Sequence, residues 1–180
     1  MSQELFSKLS IMLAMSNGQA MEAFKPILRS NGVGRAVAVE NNYDALSVLK
    51  ELNFNMIVID DRFPKLGGFD FCRFIRLTNI SASVVPIVFG LHEPNQQSVM
   101  KARDVGASKI VAMPLTGQGL LKAVSSALNE MKPIVQNSAY NGPDRRRPNA
   151  PAWNKPERRS EQPTLISVEQ QRRAMFGVKT

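Results

Sequence analysis

Residues 56 to 60 read MIVID: four apolar residues in a row, three of them β-branched, closing on an acid. A run with no polar residue at alternate positions belongs to a strand covered on both faces, as at the centre of a parallel sheet. Residues 1–130 repeat the same alternation of a short apolar run followed by helical spacing. Strands are expected at Leu9–Met15, Arg35–Val39, Met56–Asp60, Val84–Phe89 and Lys109–Ala112. Helices are expected at Gln19–Arg29, Asn42–Leu52, Phe69–Leu77, Asn95–Val105 and Thr116–Met131. Pro26 should kink or shorten the first helix, because it has no N–H to give the preceding turn. Gly67 and Gly68 mark the entry to the third helix, Gly106 ends the fourth, and Pro133 stops the fifth. Five βα units predict an α/β fold, a doubly wound parallel sheet with helices on both faces. In such sheets function sits at the carboxyl ends of the strands.

A chain of 180 residues holds one such domain and an appendage. Residues 1–136 carry 14 Lys/Arg against 11 Asp/Glu, whereas residues 137–180 carry 9 against 4. The excess of positive charge on the shorter piece points to an anionic partner. The single cysteine, Cys72, excludes an intramolecular disulfide and suits a reducing compartment. No apolar run approaches the roughly 20 residues needed to cross a bilayer, so no membrane insertion is expected. The opening MSQELFSKLS carries an acid and lacks the basic start of a signal peptide, so a cytoplasmic protein is expected. The chain divides into a sheet domain over 1–132, a Pro/Arg-rich tail over 133–163, and a short helix within 164–180. That last helix is signalled by a capping box at Ser167–Gln170 and by Gly177 at its end, with Leu165, Val168, Met175 and Phe176 as an apolar stripe. An isolated helix of this length is marginal in water and should dock on the sheet domain, the folded tail or a partner.

The tail contains six prolines between residues 133 and 163 and too few apolar residues for a core, so it is expected to be disordered when alone. It nevertheless repeats itself. YNGPDRR at Tyr140–Arg146 returns thirteen positions later as WNKPERR at Trp153–Arg159. Each copy supplies an aromatic face, an acid and an arginine pair, which are the parts a guanine asks for. An Arg fork satisfies O6 and N7, a carboxylate accepts from N1–H and N2–H₂, and an aromatic ring stacks on the base. A second Arg reaches phosphate oxygens. Two guanines joined by two phosphates describe cyclic di-GMP. Charge-only binding to nucleic acid is disfavoured, because an acid directly before each Arg pair weakens attraction to a phosphate backbone.

The sheet domain resembles the receiver domains of bacterial response regulators, especially the single-domain chemotaxis type. The resemblance rests on MIVIDDRFPKLGGFD at Met56–Asp70, on Val105-Gly106-Ala107-Ser108 and on Pro114. It implies a five-stranded parallel sheet of order 2-1-3-4-5 and makes Asp60 the match to the phospho-accepting aspartate. It also exposes departures. The family's acidic pair, which helps hold Mg²⁺, falls on Met15 and Ser16; its Ser/Thr after the fourth strand becomes Leu91; its Lys before the last proline becomes Met113. Mg²⁺ wants hard oxygen ligands, and phosphoryl transfer depends on positioning and charge compensation. Asp60 is therefore expected to be a vestigial acceptor, with no metal.

The tail resembles the arginine-rich tails of chemotaxis-type receivers that bind cyclic di-GMP. That resemblance implies Arg145, Arg146, Arg158 and Arg159 on base edges and phosphates, Asp144 and Glu157 on Watson–Crick edges, and Tyr140 and Trp153 stacking or closing over the bases. Arg147 has no counterpart in the second copy. The resemblance further implies a protein partner, the flagellar motor switch or surface-attachment machinery, docking on roughly Asn95–Met131. The expected protein is a non-enzymatic signalling adaptor controlling motility or attachment, and a cyclic di-GMP effector. The competing reading is a two-component response regulator phosphorylated at Asp60, its basic tail an anchor for nucleic acid or protein. His92, the only histidine, has no partner at metal or triad spacing and reads as a solvent-facing loop residue. Cys72 reads as buried packing, the scattered methionines as core, and Gly32-x-Gly34 as a turn.

Overall fold

The structure, a computed structural model, describes residues 6–78, 80–138, 140–146 and 163–177. Strands β1 (Ser10–Ala14), β2 (Arg35–Ala38), β3 (Met56–Asp60), β4 (Ile87–Leu91) and β5 (Lys109–Ala112) form a parallel sheet of order β2-β1-β3-β4-β5. Helices α1 (Gly18–Ser30), α2 (Asn42–Glu51), α3 (Gly68–Leu77), α4 (Gln96–Asp104) and α5 (Gly117–Asn129) alternate with the strands. The sheet separates two cores. Met12, Ile57, Ile59, Ile87 and Phe89 pack on one face with Phe71, Cys72 and Ile75 of α3. Ile11, Leu13, Met56, Val58 and Val88 pack on the other with Phe24 of α1 and Leu120 and Val124 of α5. Every residue of β3 and β4 is buried, as their continuous apolar runs demand.

Short polar residues start the helices. Asn17, Asn41, Asn95 and Thr116 each accept a backbone N–H of the first turn through the side chain. Each such cap stabilises its helix by about 1 kcal/mol. Two expectations need adjustment. Helix α1 continues through Pro26 to Ser30, so the proline does not shorten it. The fourth strand begins at Ile87, since Ser81–Val84 form a single 3₁₀ turn and Pro86 can donate no ladder bond.

The tail departs further from expectation. Residues 134–136 (Ile134–Gln136) form β6, flanked antiparallel by β7 (Asn141–Pro143) and β8 (Thr164–Ile166) in the order β7-β6-β8. Residues 134–136 and 141–143 therefore carry structure where composition alone predicted none, because this small sheet packs on the domain: Ile134 is 1% exposed, and Gly142 and Pro143 are buried. Helix α6 (Val168–Phe176) has the expected Ser167/Gln170 capping box and left-handed Gly177. It docks on its own chain. Gln171 is buried and donates to the Lys132 carbonyl at 2.9 Å, and Met175 and Phe176 pack against the cores.

Candidate functional site

At the carboxyl edge of the sheet, β3 delivers Asp60 and β1 delivers Met15 and Ser16 to adjoining positions. Asp60 is 1% exposed. Its Oδ2 accepts the Ser16 backbone N–H at 2.9 Å and the Ser16 hydroxyl at 2.7 Å. Its Oδ1 is buried and has no hydrogen-bond partner among the described residues. Met15 is buried, with its N–H directed to the Met21 sulfur at 3.3 Å. Leu91, expected just after the fourth strand, is instead the last residue of β4 and fully buried. Met113, joined to Pro114 by a cis peptide, is half-buried beside Gly90 of β4. A Cβ built on Gly90 would lie 2.7 Å from the Met113 sulfur and 3.4 Å from the Asp60 Cβ, so the thioether is packed within a residue's width of the carboxylate.

This donor set does not fit Mg²⁺, which takes oxygen ligands and usually one or two carboxylates. The Ser16 hydroxyl is spent on Asp60, and Met15, Leu91 and Met113 offer no hard oxygen. The adjacent acid is also engaged. Asp61 Oδ1 lies 2.6 Å from His92 Nδ1, and the His92 backbone N–H donates to the Asp61 carboxylate at 3.3 Å. His92 is thus no lone loop residue. It ties the loop after β4 to the loop after β3, and a second pair, Arg62 with Glu93 at 2.8 Å, runs beside it. Nothing local signals the His92–Asp61 pair, because its members lie 31 residues apart.

The first tail copy sits at the C-terminal end of α3, and a buried arginine holds the seat. Arg76 is 1% exposed. Its Nε donates to the Gly106 carbonyl at 2.9 Å, its Nη1 to the carbonyls of Ser83 and Val85 at 2.6 and 2.8 Å, and its Nη2 to Ser108 Oγ at 3.3 Å. Burial pulls its pKa below the ordinary guanidinium value. A buried charge survives only when its protons are all answered, and this one gathers the 3₁₀ turn and the α4–β5 loop around itself. Burial likewise pushes the Cys72 thiol up to about 12 despite Arg76 beside it, which leaves the thiol inert packing. The spacing Cys72–Arg76 places the arginine on the apolar face of α3, a signal that sequence reading passed over.

Asn141 of β7 donates through its side-chain amide to the Arg76 carbonyl. Beside it Gly142 lies so close to the α4–β5 loop that an added Cβ would stand 2.9 Å from Gly106 Cα. Only glycine fits there. The Tyr140 hydroxyl donates to the Pro143 carbonyl at 2.9 Å, and burial raises its pKa against the pull of Arg145. Arg145 lies over the Tyr140 ring, 4.0 Å from its centroid, and pairs through Nη1 with Asp104 at the end of α4. Arg146 grips both oxygens of Asp144 at 2.7–3.1 Å and holds that carboxyl below the usual range. The structure therefore brings together Tyr140, Asp144, Arg145 and Arg146, with Asp144 facing Arg146. Trp153, Glu157, Arg158, Arg159 and Arg147 lie outside the described residues.

The sheet order, the buried aspartate after β3 and the alternating helices define a receiver. The response regulator receiver domain model matches residues 11–125, well over half of the chain, and the chain belongs to that family. It is similar to Protein PilG of Pseudomonas aeruginosa, 21% identical over 126 residues, covering 70% of this chain and 92% of that protein. It is also similar to the DNA-binding response regulator MtrA of Mycolicibacterium smegmatis, 29% identical over 109 residues; the match covers 59% of this chain but only 46% of that protein. Among solved structures, the chemotaxis protein CheY4 of Vibrio cholerae superposes with a TM-score of 0.59 at 21% identity, covering 66% of this chain and 98% of that one. That likeness shows the fold. The matched residues end before β6, so the tail sheet and α6 stand outside the family's domain. Among the described residues, no helix is long and apolar enough to cross a membrane.

Proposed function

We propose that this chain is a non-enzymatic signalling adaptor: a receiver that no longer takes a phosphoryl group, carrying an arginine-rich tail that captures cyclic di-GMP. The observation that carries the first half is the double hydrogen bond from Ser16 to Asp60, at a sheet edge where Met15, Leu91 and Met113 stand in place of the acid, hydroxyl and lysine that the resemblance implies. Charge compensation is what phosphoryl transfer requires, and the described residues around Asp60 supply none of it. For the second half, support comes from the in-register repeat and from the seating of its first copy, where the Arg145 guanidinium already lies over the Tyr140 ring. A guanidinium held over an aromatic ring is a stacking platform for a base. Arg146, Arg158 and Arg159 would reach base edges and phosphates, Glu157 a Watson–Crick edge, and Trp153 would close over the second base.

The partner would dock on Asn95–Met131. The flagellar motor switch or surface-attachment machinery suits a receiver similar to a chemotaxis protein. One observation favours a second reading, phosphorylation at Asp60: its Oδ1 is buried without a partner. Two measurements decide between them. Calorimetric titration of the full chain with cyclic di-GMP should give micromolar or tighter binding, and a random RNA oligomer should bind far more weakly. Incubation with acetyl phosphate and Mg²⁺ should leave the mass unchanged; a phosphoryl group on Asp60 would sink the adaptor reading.

A further inference from the structure

The tail meets the receiver at the lip of a groove. An open cavity of about 700 Å³ lies between α3 and α4, with Asp70 and Arg73 on one wall and Gln97, Met100, Lys101 and Asp104 on the other. That volume falls within the range of small-molecule sites. Asp104 belongs to both structures, since it lines the groove and pairs with Arg145. Both of the cation contacts found on Asp104, from Arg145 and from Arg103 at 3.5 Å, fall on Oδ1, and the side chain is 50% exposed. Asp144, by contrast, has both oxygens gripped by Arg146.

A guanine needs a carboxylate for its N1–H and N2–H₂ edge, and in the first copy the motif's own acid is committed elsewhere. We infer that the groove between α3 and α4 receives one guanine of a cyclic dinucleotide, with Asp104 rather than Asp144 as the acceptor of its Watson–Crick edge. This rests on the cyclic di-GMP reading above. A carboxylate offers about four lone-pair positions, so Asp104 can accept from the base while Arg145 remains attached. Met100, 46% exposed, gives the base an apolar surface. Arg73 is exposed and forms no ion pair among the described residues, so it is placed to meet a phosphate oxygen. Lys101, held over the Phe69 ring at 4.3 Å, adds a second positive charge on the opposite wall. Occupancy of the groove would then be felt at the start of the face assigned to the protein partner.

The test uses the full chain, with cyclic di-GMP and cyclic di-AMP titrated by calorimetry and the Met100 methyl followed by NMR. Asp104→Asn should weaken cyclic di-GMP at least tenfold and shrink the preference over cyclic di-AMP, because the amide keeps one acceptor oxygen and turns the other position into a donor. Arg73→Ala should weaken both ligands several-fold and equally. The Met100 methyl of the unaltered chain should shift on saturation, a readout that holds even if Asp104→Asn also loosens Arg145. If the methyl is unmoved and Asp104→Asn binds like the parent while Arg158→Ala does not bind, the groove is excluded and the tail alone holds the ligand. If the unaltered chain binds neither dinucleotide, the reading beneath the groove falls and takes it along.

Discussion

Ser16 donates its backbone N–H and its hydroxyl to one and the same oxygen of Asp60. The residue standing where the family places an acid thus offers no second carboxylate to a metal and instead satisfies the aspartate with two hydrogen bonds. Ser16→Ala keeps the backbone bond and removes the other. Asp60 is buried but Ser16 is exposed, so water can replace the hydroxyl; the loss costs about 0.5–1.5 kcal/mol, readable as a lower urea midpoint with an unchanged slope. An unchanged midpoint would mean that the hydroxyl contributes nothing to Asp60.

Gly142 and Gly106 touch backbone to backbone, which is what lets β7 lie against the α4–β5 loop. Gly142→Ala forces them apart at a cost of about 1–3 kcal/mol. The expected result is local. The Asp144 amide, bonded to the Pro133 carbonyl at 2.8 Å, should exchange faster, while amides of β1, β3 and β4 keep their protection. The second copy has Lys155 at the matching position, so it cannot occupy this seat, and the two copies are unequal despite their matching sequence.

Arg76 is the larger anchor. Arg76→Met retains most of the volume but strands the carbonyls of Ser83, Val85 and Gly106. A loss of about 3 kcal/mol or more is expected from thermal or urea unfolding. Arg76→Lys should recover only part of it, because an ammonium cannot span the fork's directions. Equal stability of the Met variant would show that the guanidinium network is ornamental.

These anchors explain what the sequence could and could not disclose. The five sheet strands were legible because their apolar runs are bounded by Gly, Asn and Pro, and α6 because Ser167, Gln170 and Gly177 spell its ends. The start of β4 was misplaced because Val84 and Val85 read as strand while Pro86 and the Arg76 bonds hold them in a turn. Strands β6, β7 and β8 are three residues each, too short for any periodicity, and Asn-Gly-Pro reads as linker. β7 is held by the Arg76 carbonyl and the Gly106 backbone and β6 by the burial of Ile134, which no local pattern shows. The His92–Asp61 pair escaped for the same reason. At the acceptor end the substitutions themselves were visible, but not that Ser16 would turn its hydroxyl onto Asp60.

The Asp144–Arg146 pair predicts a pH dependence. The pair holds the folded-state pKa of Asp144 below its ordinary value, chiefly through the Arg146 side-chain hydrogen bond. A depressed carboxyl stabilises fully above the unfolded value and loses that contribution as pH falls through the folded one. Protection of the Asp144 amide, corrected for intrinsic exchange, should therefore be level from neutral pH to about pH 4 and fall below it. Asp144→Asn should flatten the acid limb. A decline beginning near pH 6 would contradict the pairing.

The chain has a single tryptophan, Trp153, in the second tail copy, so its fluorescence reports directly on whether both copies serve one ligand. Titration of the full chain with cyclic di-GMP should quench that emission to a plateau at micromolar ligand, and Arg145→Ala, in the other copy, should abolish the effect. Emission that stays constant, or quenching that survives Arg145→Ala undiminished, would contradict capture of one dinucleotide by the paired motif.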